Sequence, residues 1–374
     1  MKRVLWPCLL LALVVVPLAS CTAATPAATP AAKPTPAAAP AATPAPAATS
    51  ASAAQDKPLD PPFTVKLGTL PIFSAVSIYT AIEKGFFKEQ GLNIELVNFD
   101  TAAKMTAPLS TGELHVGAGA ISAGFFNALQ RGLLLKVIAD YNSAVKPPST
   151  LAFVARKDLM DAGALKDFSD WKGKTVSLNA LGITSEIYLD VALKKGGLTV
   201  KDINVVMVPF DQVAIAMANK SVDISLSNEP FITMGIDQGF LVRLKDVAEL
   251  EPGGQISVIF YSPVFARDNP EAARRWALAY LRGIRYYTKD LQTKEGKAEI
   301  IGILGKYLTV KDPTFYERVI FPTSNPDGFV NEKSIAAHLE WYVANGQVKE
   351  KTDLATVIDN QYVEYAIGKL GKYQ

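Results

Sequence analysis

Between Phe63 and Leu226 the chain runs twice through one order of elements, and this repetition restricts the fold more than any other feature. A β-like run, Phe63 to Leu70, precedes Ile78, Ile82 and Phe86, whose four-residue spacing marks one helical face with Ser74 as its N-cap. Gly85 fits a helix C′ position and Gly91 a turn, and Asn93 to Phe99 then alternates like a half-buried strand. A helix over Thr101–Thr111, interrupted by Pro108, is followed by a strand at Leu114–Ala118, a helix at Ser122–Arg131 and a strand at Leu133–Ala139. The second passage reads strand Thr175–Leu178, helix Ile183–Lys195, strand Asn204–Val208, helix Asp211–Asn219, strand Val222–Leu226 and a helix near Pro230.

Strands alternating with helices predict mainly parallel sheets, here in two similar α/β lobes. The expected division is 63–150 with 260–374 as lobe 1, and 151–259 as lobe 2. Gln255 to Ala266 reads as β-rich. Beyond Asn269 the pattern is helical, with Pro270 in a first turn and Trp276, Tyr280, Ile284 and Tyr287 on one stripe. These helices are expected to pack mostly on lobe 1. Open α/β sheets hold ligands outside the carboxyl ends of their strands, so two facing lobes would enclose a cleft that closes by a hinge.

The N-terminus carries Met-Lys-Arg, an apolar run from Val4 to Leu18 and then Ala19-Ser20-Cys21, the layout of a cleaved export signal over 1–20. Two prolines, Pro7 and Pro17, and the short run argue against a spanning helix. Thr22 to Ala54 is Ala, Pro or Thr except for Lys33, Ser50 and Ser52, so no apolar face exists to pack. Residues 21–62 therefore read as a disordered tether. The chain has 38 Lys and Arg against 36 Asp and Glu, and residues 1–62 hold four of the bases and two of the acids, which leaves the remainder formally neutral. Nucleic-acid binding by bulk charge is disfavoured. Both Cys, Cys8 and Cys21, lie near the N-terminus and there are two His, so neither a disulfide framework nor a Cys- or His-rich metal site is expected.

Candidate contacts come from the strand-to-helix loops. Thr184 and Ser185, after Gly182, offer hydroxyls and helix N-terminal N–H groups. Ser74, Ala120 and Ser122 occupy the equivalent loops of the first passage. Phe73, Tyr141, Phe210 and Tyr261 lie in or beside such loops and could cover a flat ligand. No Lys or Arg falls in these loops, which points to neutral or singly charged organic solutes.

The run Ala81-Ile82-Glu83-Lys84-Gly85-Phe86-Phe87-Lys88-Glu89-Gln90-Gly91-Leu92 resembles a signature of periplasmic binding proteins for sulfonate, taurine, nitrate and thiamine-pyrimidine precursors. Trp171-Lys172-Gly173-Lys174-Thr175-Val176, Ala192 to Leu198 and Asn228-Glu229-Pro230-Phe231 follow in family order, so the resemblance covers about 65–330. It implies a type II periplasmic-binding-protein fold that passes a small organic solute to an ABC permease and its ATPase, with no cofactor and no catalytic residue. Leu18-Ala19-Ser20-Cys21 resembles the bacterial lipobox, which implies lipidation of Cys21 and an extracytoplasmic, membrane-anchored monomer. The family often has Asp where this chain has His115, read as structural, and an aromatic residue where it has Asn228, which adds volume and an amide to the cleft. Glu229 could accept from an amine or ring N–H. Two alternatives stay open: an enzyme of thiamine-pyrimidine or menaquinone-pathway type on the same fold, and a receptor that reports to a sensor.

Overall fold

The computed structural model describes residues 57–374. The expected signal, Cys21 and most of the tether lie outside the described residues. Ten strands are present among the described residues: β1 (Phe63–Thr69), β2 (Leu92–Asn98), β3 (Val116–Gly119), β4 (Lys136–Ala144), β5 (Leu151–Arg156), β6 (Thr175–Leu178), β7 (Asn204–Met207), β8 (Ile224–Asn228), β9 (Leu241–Asp246) and β10 (Gly254–Tyr261). They form two sheets of five, ordered β2-β1-β3-β10-β4 and β7-β6-β8-β5-β9. The orders are equivalent, with β6, β7 and β8 in the places of β1, β2 and β3. The two α/β lobes therefore share a design, as the repeated sequence order requires.

The sheets are mixed, whereas mainly parallel ones were expected. The chain crosses between them twice, and the strand entered after each crossing runs against its neighbours: β5 is antiparallel to β8 and β9, and β10 to β3 and β4. β10 begins at Gly254, so the expected boundary at 260 cuts through a strand of the first sheet. All residues of β8 and β10 are buried, which suits central strands covered on both faces.

Local expectations need four corrections. The segment Thr101–Thr111 is a 3-10 turn, Ala102–Met105, followed by a helix, Thr106–Thr111. Pro108 sits in the first turn of that helix, where an N–H has no intrahelical partner to lose. The fourth strand runs on to Ala144 and takes in Asp140 to Asn142, expected as a loop. Pro263–Asp268 is helical, with Ser262 accepting from Phe265 N–H as its N-cap. Residues 57–62, expected in the tether, are docked: Arg275 donates to the Lys57 carbonyl (2.6 Å) and Leu59 N–H to the Gln90 carbonyl (3.3 Å).

The helix Pro270–Asp290 buries Trp276, Tyr280, Ile284 and Tyr287; two of its phenols donate to carbonyls, Tyr280 to that of Asp140 (2.8 Å) and Tyr287 to that of Pro322 (2.7 Å), whereas the Trp276 Nε1 is buried without a partner among the described residues. Gly283 lets it lie directly on the helix Val76–Glu83, since a Cβ there would stand 2.5 Å from the Ser77 carbonyl oxygen. The helix Glu332–Ala344 packs on both lobes: its Tyr342 donates to the Ile121 carbonyl (3.1 Å), and its Trp341 Nε1 to Asp190 (2.6 Å). Among the described residues no helix is long and apolar enough to cross a membrane.

Candidate ligand-binding site

A cavity lies between the two sheets, holding about 480 Å³ of non-atom space when the part continuous with solvent is counted. Leu70, Ile72, Ser74, Ala102, Ala118, Gly119, Ala120, Tyr141, Ile256 and Ser257 line it from the first lobe, and Leu151, Asn179, Ile183, Thr184, Ser185, Phe210 and Asn228 from the second. None of these side chains is charged. Small residues make the room: Ala118 and Gly119 end β3 and Ala120 follows it, and a Cβ on Gly119 would stand 2.6 Å from that of Ala102.

Seven of the expected contacts therefore face one space: Ser74, Ala120, Tyr141, Thr184, Ser185, Phe210 and Asn228. Ser74 does not cap a helix. Its 3-10 turn, Phe73–Ala75, has Ile72 as N-cap without a side-chain bond, and Ser74 Oγ instead accepts from Asn142 Nδ2 (3.0 Å). Tyr141 and Thr69 share a hydrogen bond (3.2 Å), and burial pushes the Tyr141 phenol far above its ordinary pKa, so it stays neutral. Ser185 donates to Asn179 Oδ1 (3.1 Å), and Thr184 makes a long contact to the Ile256 carbonyl (3.5 Å).

The other five lie elsewhere. Phe73 is core, stacked on Tyr316 at 5.6 Å and edge-on to Phe321 at 5.1 Å. Tyr261 is also core; it donates to the Ala273 carbonyl (2.8 Å) and packs edge-on against Trp276. Ser122 caps the helix Ala123–Gln130 by accepting from Phe125 N–H (3.0 Å). Gly182 holds the lobes together: its left-handed φ of +70° turns its carbonyl to accept from Ala123 N–H at 2.8 Å. Glu229 faces away from the cavity into a buried polar cluster, accepting from Thr233 Oγ1 (2.9 Å) and Arg243 Nη2 (2.9 Å). Burial raises its pKa, and Arg243 and Thr233 oppose that rise. His115, read as structural, accepts from Lys66 N–H through Nδ1 (3.0 Å) just before the start of β3.

Ile256 and Ser257 were not foreseen. They lie in β10, where the pairing with β4 shifts register between Gln255 and Val258, and such bulges re-aim side chains next to sites. Leu151, at the start of β5, was missed for a similar reason: it follows a crossing and not a strand-to-helix loop. Leu70, Ile72 and Phe210 also wall an outer groove with Phe99, Asp100, Asp211, Phe231 and Met234. The cavity and this groove are thus adjoining spaces. Among the described residues no group of three or more His, Cys, Asp or Glu is placed to hold a metal ion.

The family model described as NMT1/THI5 like matches residues 73–293, more than half of the chain. The chain belongs to this family. Over 224 residues it is 25% identical to the 4-amino-5-hydroxymethyl-2-methylpyrimidine phosphate synthase of Aspergillus parasiticus, covering 56% of this chain and 61% of that one. Over 228 residues it is 27% identical to the riboflavin-binding protein RibY of Chloroflexus aurantiacus, covering 59% and 61%. It thus spans about six tenths of the length of these curated relatives. Among solved structures, the ligand-binding component of an ABC-type import system from Staphylococcus aureus, with zinc bound, superposes with a TM-score of 0.68 at 13% identity, covering 81% of this chain and 98% of that one. That likeness shows the periplasmic-binding-protein fold.

Proposed function

We propose that this chain is an extracytoplasmic receptor that encloses a small uncharged organic solute between its lobes and delivers it to an ABC permease with its ATPase. The observation that carries this reading is the cavity itself, walled by both sheets and free of charged side chains. Solute that touches both walls favours the closed arrangement by its differential affinity, and closure is what a membrane partner can read. Ser74, Ala120, Tyr141, Thr184, Ser185, Phe210 and Asn228 supply the contacts. The uncharged lining disfavours sulfonate and nitrate, whose buried charge would have no counter-ion. Cys21, through the lipidation that the lipobox resemblance implies, anchors the monomer to the membrane.

The test is a thermal-shift panel on the purified protein with taurine, nitrate, pyrimidines, riboflavin and aromatic carboxylates. A bound solute at 100 times its Kd adds about 2.7 kcal/mol of stability. Neutral heterocycles should shift the transition, and a response confined to anions would refute the reading. For the anchor, Cys21→Ser should release the protein from membranes without changing affinity; retention on membranes would refute that part.

A second reading, an enzyme, is favoured by the similarity to the synthase. The cavity opposes it, because Tyr141 is the one lining side chain with a titratable group and it is held neutral. Conversion of a panel compound, followed by mass spectrometry, would establish the enzyme reading.

A further inference from the structure

Two phenylalanines of the second lobe, Phe210 and Phe231, are half-buried, yet they serve none of the cores. Among the described residues neither belongs to or packs against an apolar core cluster, and neither ring meets another ring. Each follows a proline after a strand of the second sheet, Pro209 beyond β7 and Pro230 beyond β8, and each opens a helical turn there. Both rings face the outer groove, with Met234 of their own lobe and Phe99 and Leu308 of the first lobe on its other walls. A contiguous apolar surface that straddles two lobes and faces water marks a place of contact.

Its relation to the cavity indicates what is contacted. The groove holds about 1150 Å³ of non-atom space, counted with its solvent-continuous part, against about 480 Å³ for the cavity. Leu70, Ile72 and Phe210 wall both spaces, so the boundary they share is apolar and a molecule seated in the cavity can continue along the groove. The rim selects among such continuations. Asp100 on the first lobe and Asp211 on the second are exposed; Asp100 is paired with Lys104 (2.6 Å), whereas Asp211 meets the neutral Gln212 amide (3.1 Å) and has no ion pair among the described residues. An anionic end would be repelled there, and a hydrocarbon would cover the rings.

Resting on the receptor reading above, we infer that the outer groove is a second subsite, and that the solute is an elongated molecule with a compact head in the cavity and an uncharged hydrocarbon tail along Phe99, Phe231 and Met234. Because the groove has walls from both lobes, the tail adds contacts that exist only when the lobes are together, and so favours closure beyond what the head supplies.

The probes are 4-alkylbenzamides, with an uncharged ring as head and an unbranched tail from methyl to octyl, and 8-(4-carbamoylphenyl)octanoate as the anionic counterpart of the octyl compound. Affinities for the full chain are measured by calorimetry. Each methylene that the groove covers should tighten binding about three- to fourfold, so the octyl compound should exceed the methyl one by at least about a hundredfold, and the terminal carboxylate should reverse most of that gain. Phe231→Ser and Thr309→Arg change the groove and not the cavity wall. The first removes a ring; the second lays a charged side chain over the groove from an exposed position, and it covers the case in which the serine variant fails to fold. Both should flatten the dependence on tail length, with the methyl compound least affected. Affinity independent of tail length in the unaltered chain, or a dependence that survives in both variants, overturns the inference. Unchanged affinities together with a dimer that both variants dissociate would give the groove to a second copy of this chain and overturn it as well. If a panel solute binds and no alkylbenzamide does, the inference falls while the receptor reading stands. If neither set binds, both fall.

Discussion

Arg243 joins the end of β8 to the first crossing between the lobes, and its removal should be the most damaging single change outside the apolar core. Its Nη2 donates to Glu229 (2.9 Å), and its Nη1 to Asp246 (3.0 Å) and to the Ser149 carbonyl (3.0 Å). Glu229 is 1% exposed and Asp246 3%, so Arg243→Met strands two carboxylates away from water. Removing one partner of a buried ion pair costs about 3–5 kcal/mol. Here the lower end applies, because Thr233 still donates to Glu229 and Ser149 and Ala248 to Asp246. At roughly 2 °C per kcal/mol for a chain of this size, the melting temperature should fall by about 6 °C. The sign of the pH effect follows from Glu229, whose folded pKa is already raised by burial. A raised acid contributes stability below its unfolded pKa and loses it as pH rises through the folded value. Without Arg243 that folded pKa rises further, so the deficit of the variant should be greatest near neutrality and shrink on acidification. Adding Glu229→Gln should recover part of the loss. Calorimetry of the four proteins from pH 4 to pH 8 measures all of this. A deficit under about 1 kcal/mol, or one that grows as pH falls, would refute the account.

Burial raises the Asp140 carboxyl to about 6, although Asn325, Gln255 and Ser143 donate to it. Its contribution to stability should therefore decline as pH rises from about 4 to about 6, by about 3 kcal/mol at 1.36 kcal/mol per pKa unit, and a denaturant series should show that Asp140→Asn lacks this decline. Gly91 has φ +72°, and a Cβ there would stand 2.2 Å from Leu59 N, so Gly91→Ala should cost at least about 2 kcal/mol and expose residues 57–62 to limited proteolysis. Trp276 is fully buried against Phe87, Tyr261 and Tyr280, and Trp276→Ala should cost about 3–5 kcal/mol in urea unfolding.

What could be read in the sequence was whatever local periodicity decides, while the cap expected at Ser74 was not found. The order of strands and helices, Pro270 in a first turn and the stripe from Trp276 to Tyr287 are all properties of short segments. Pairing direction and side-chain facing are not. Asp140-Tyr141-Asn142 looks like a polar loop, yet it is buried in β4 because Gln255, Asn325, Thr69, Ser74 and Thr150 supply partners from other segments. The same gap explains Phe73 and Tyr261, aromatic residues beside loops that turn into the core while Tyr141 turns to the cavity. Of the adjacent pair at the end of β8, Asn228 lines the cavity, whereas Glu229 meets Arg243 outside it. Strand alternation makes such a split natural, but which member faces inward depends on the partner strand β5, where Leu151 pairs with Asn228.

On the receptor reading proposed above, the contacts that span the lobes set how solute affinity and closure are coupled. Ala123 N–H donates to the Gly182 carbonyl, Phe73 N–H to the Glu229 carbonyl, Gln347 Nε2 to Glu186 (2.9 Å) and Trp341 Nε1 to Asp190 (2.6 Å). A hinge at the two crossings, 145–150 and 251–253, cannot open without breaking these bonds. Trp341 and Asp190 are not part of the cavity wall, so Trp341→Phe removes a bond of the closed state and leaves the solute contacts intact. A hydrogen bond to a charged group is worth about 1.5–3 kcal/mol, which bounds the bias toward opening. Apparent affinity falls in proportion to the closed fraction, so the solute identified by the panel should bind about two- to tenfold more weakly to this variant. Scattering should show a larger radius of gyration without solute and the wild-type value at saturation. An expanded variant with unchanged affinity would mean that solute does not discriminate between open and closed forms, and the receptor mechanism would lose the differential contact on which it depends.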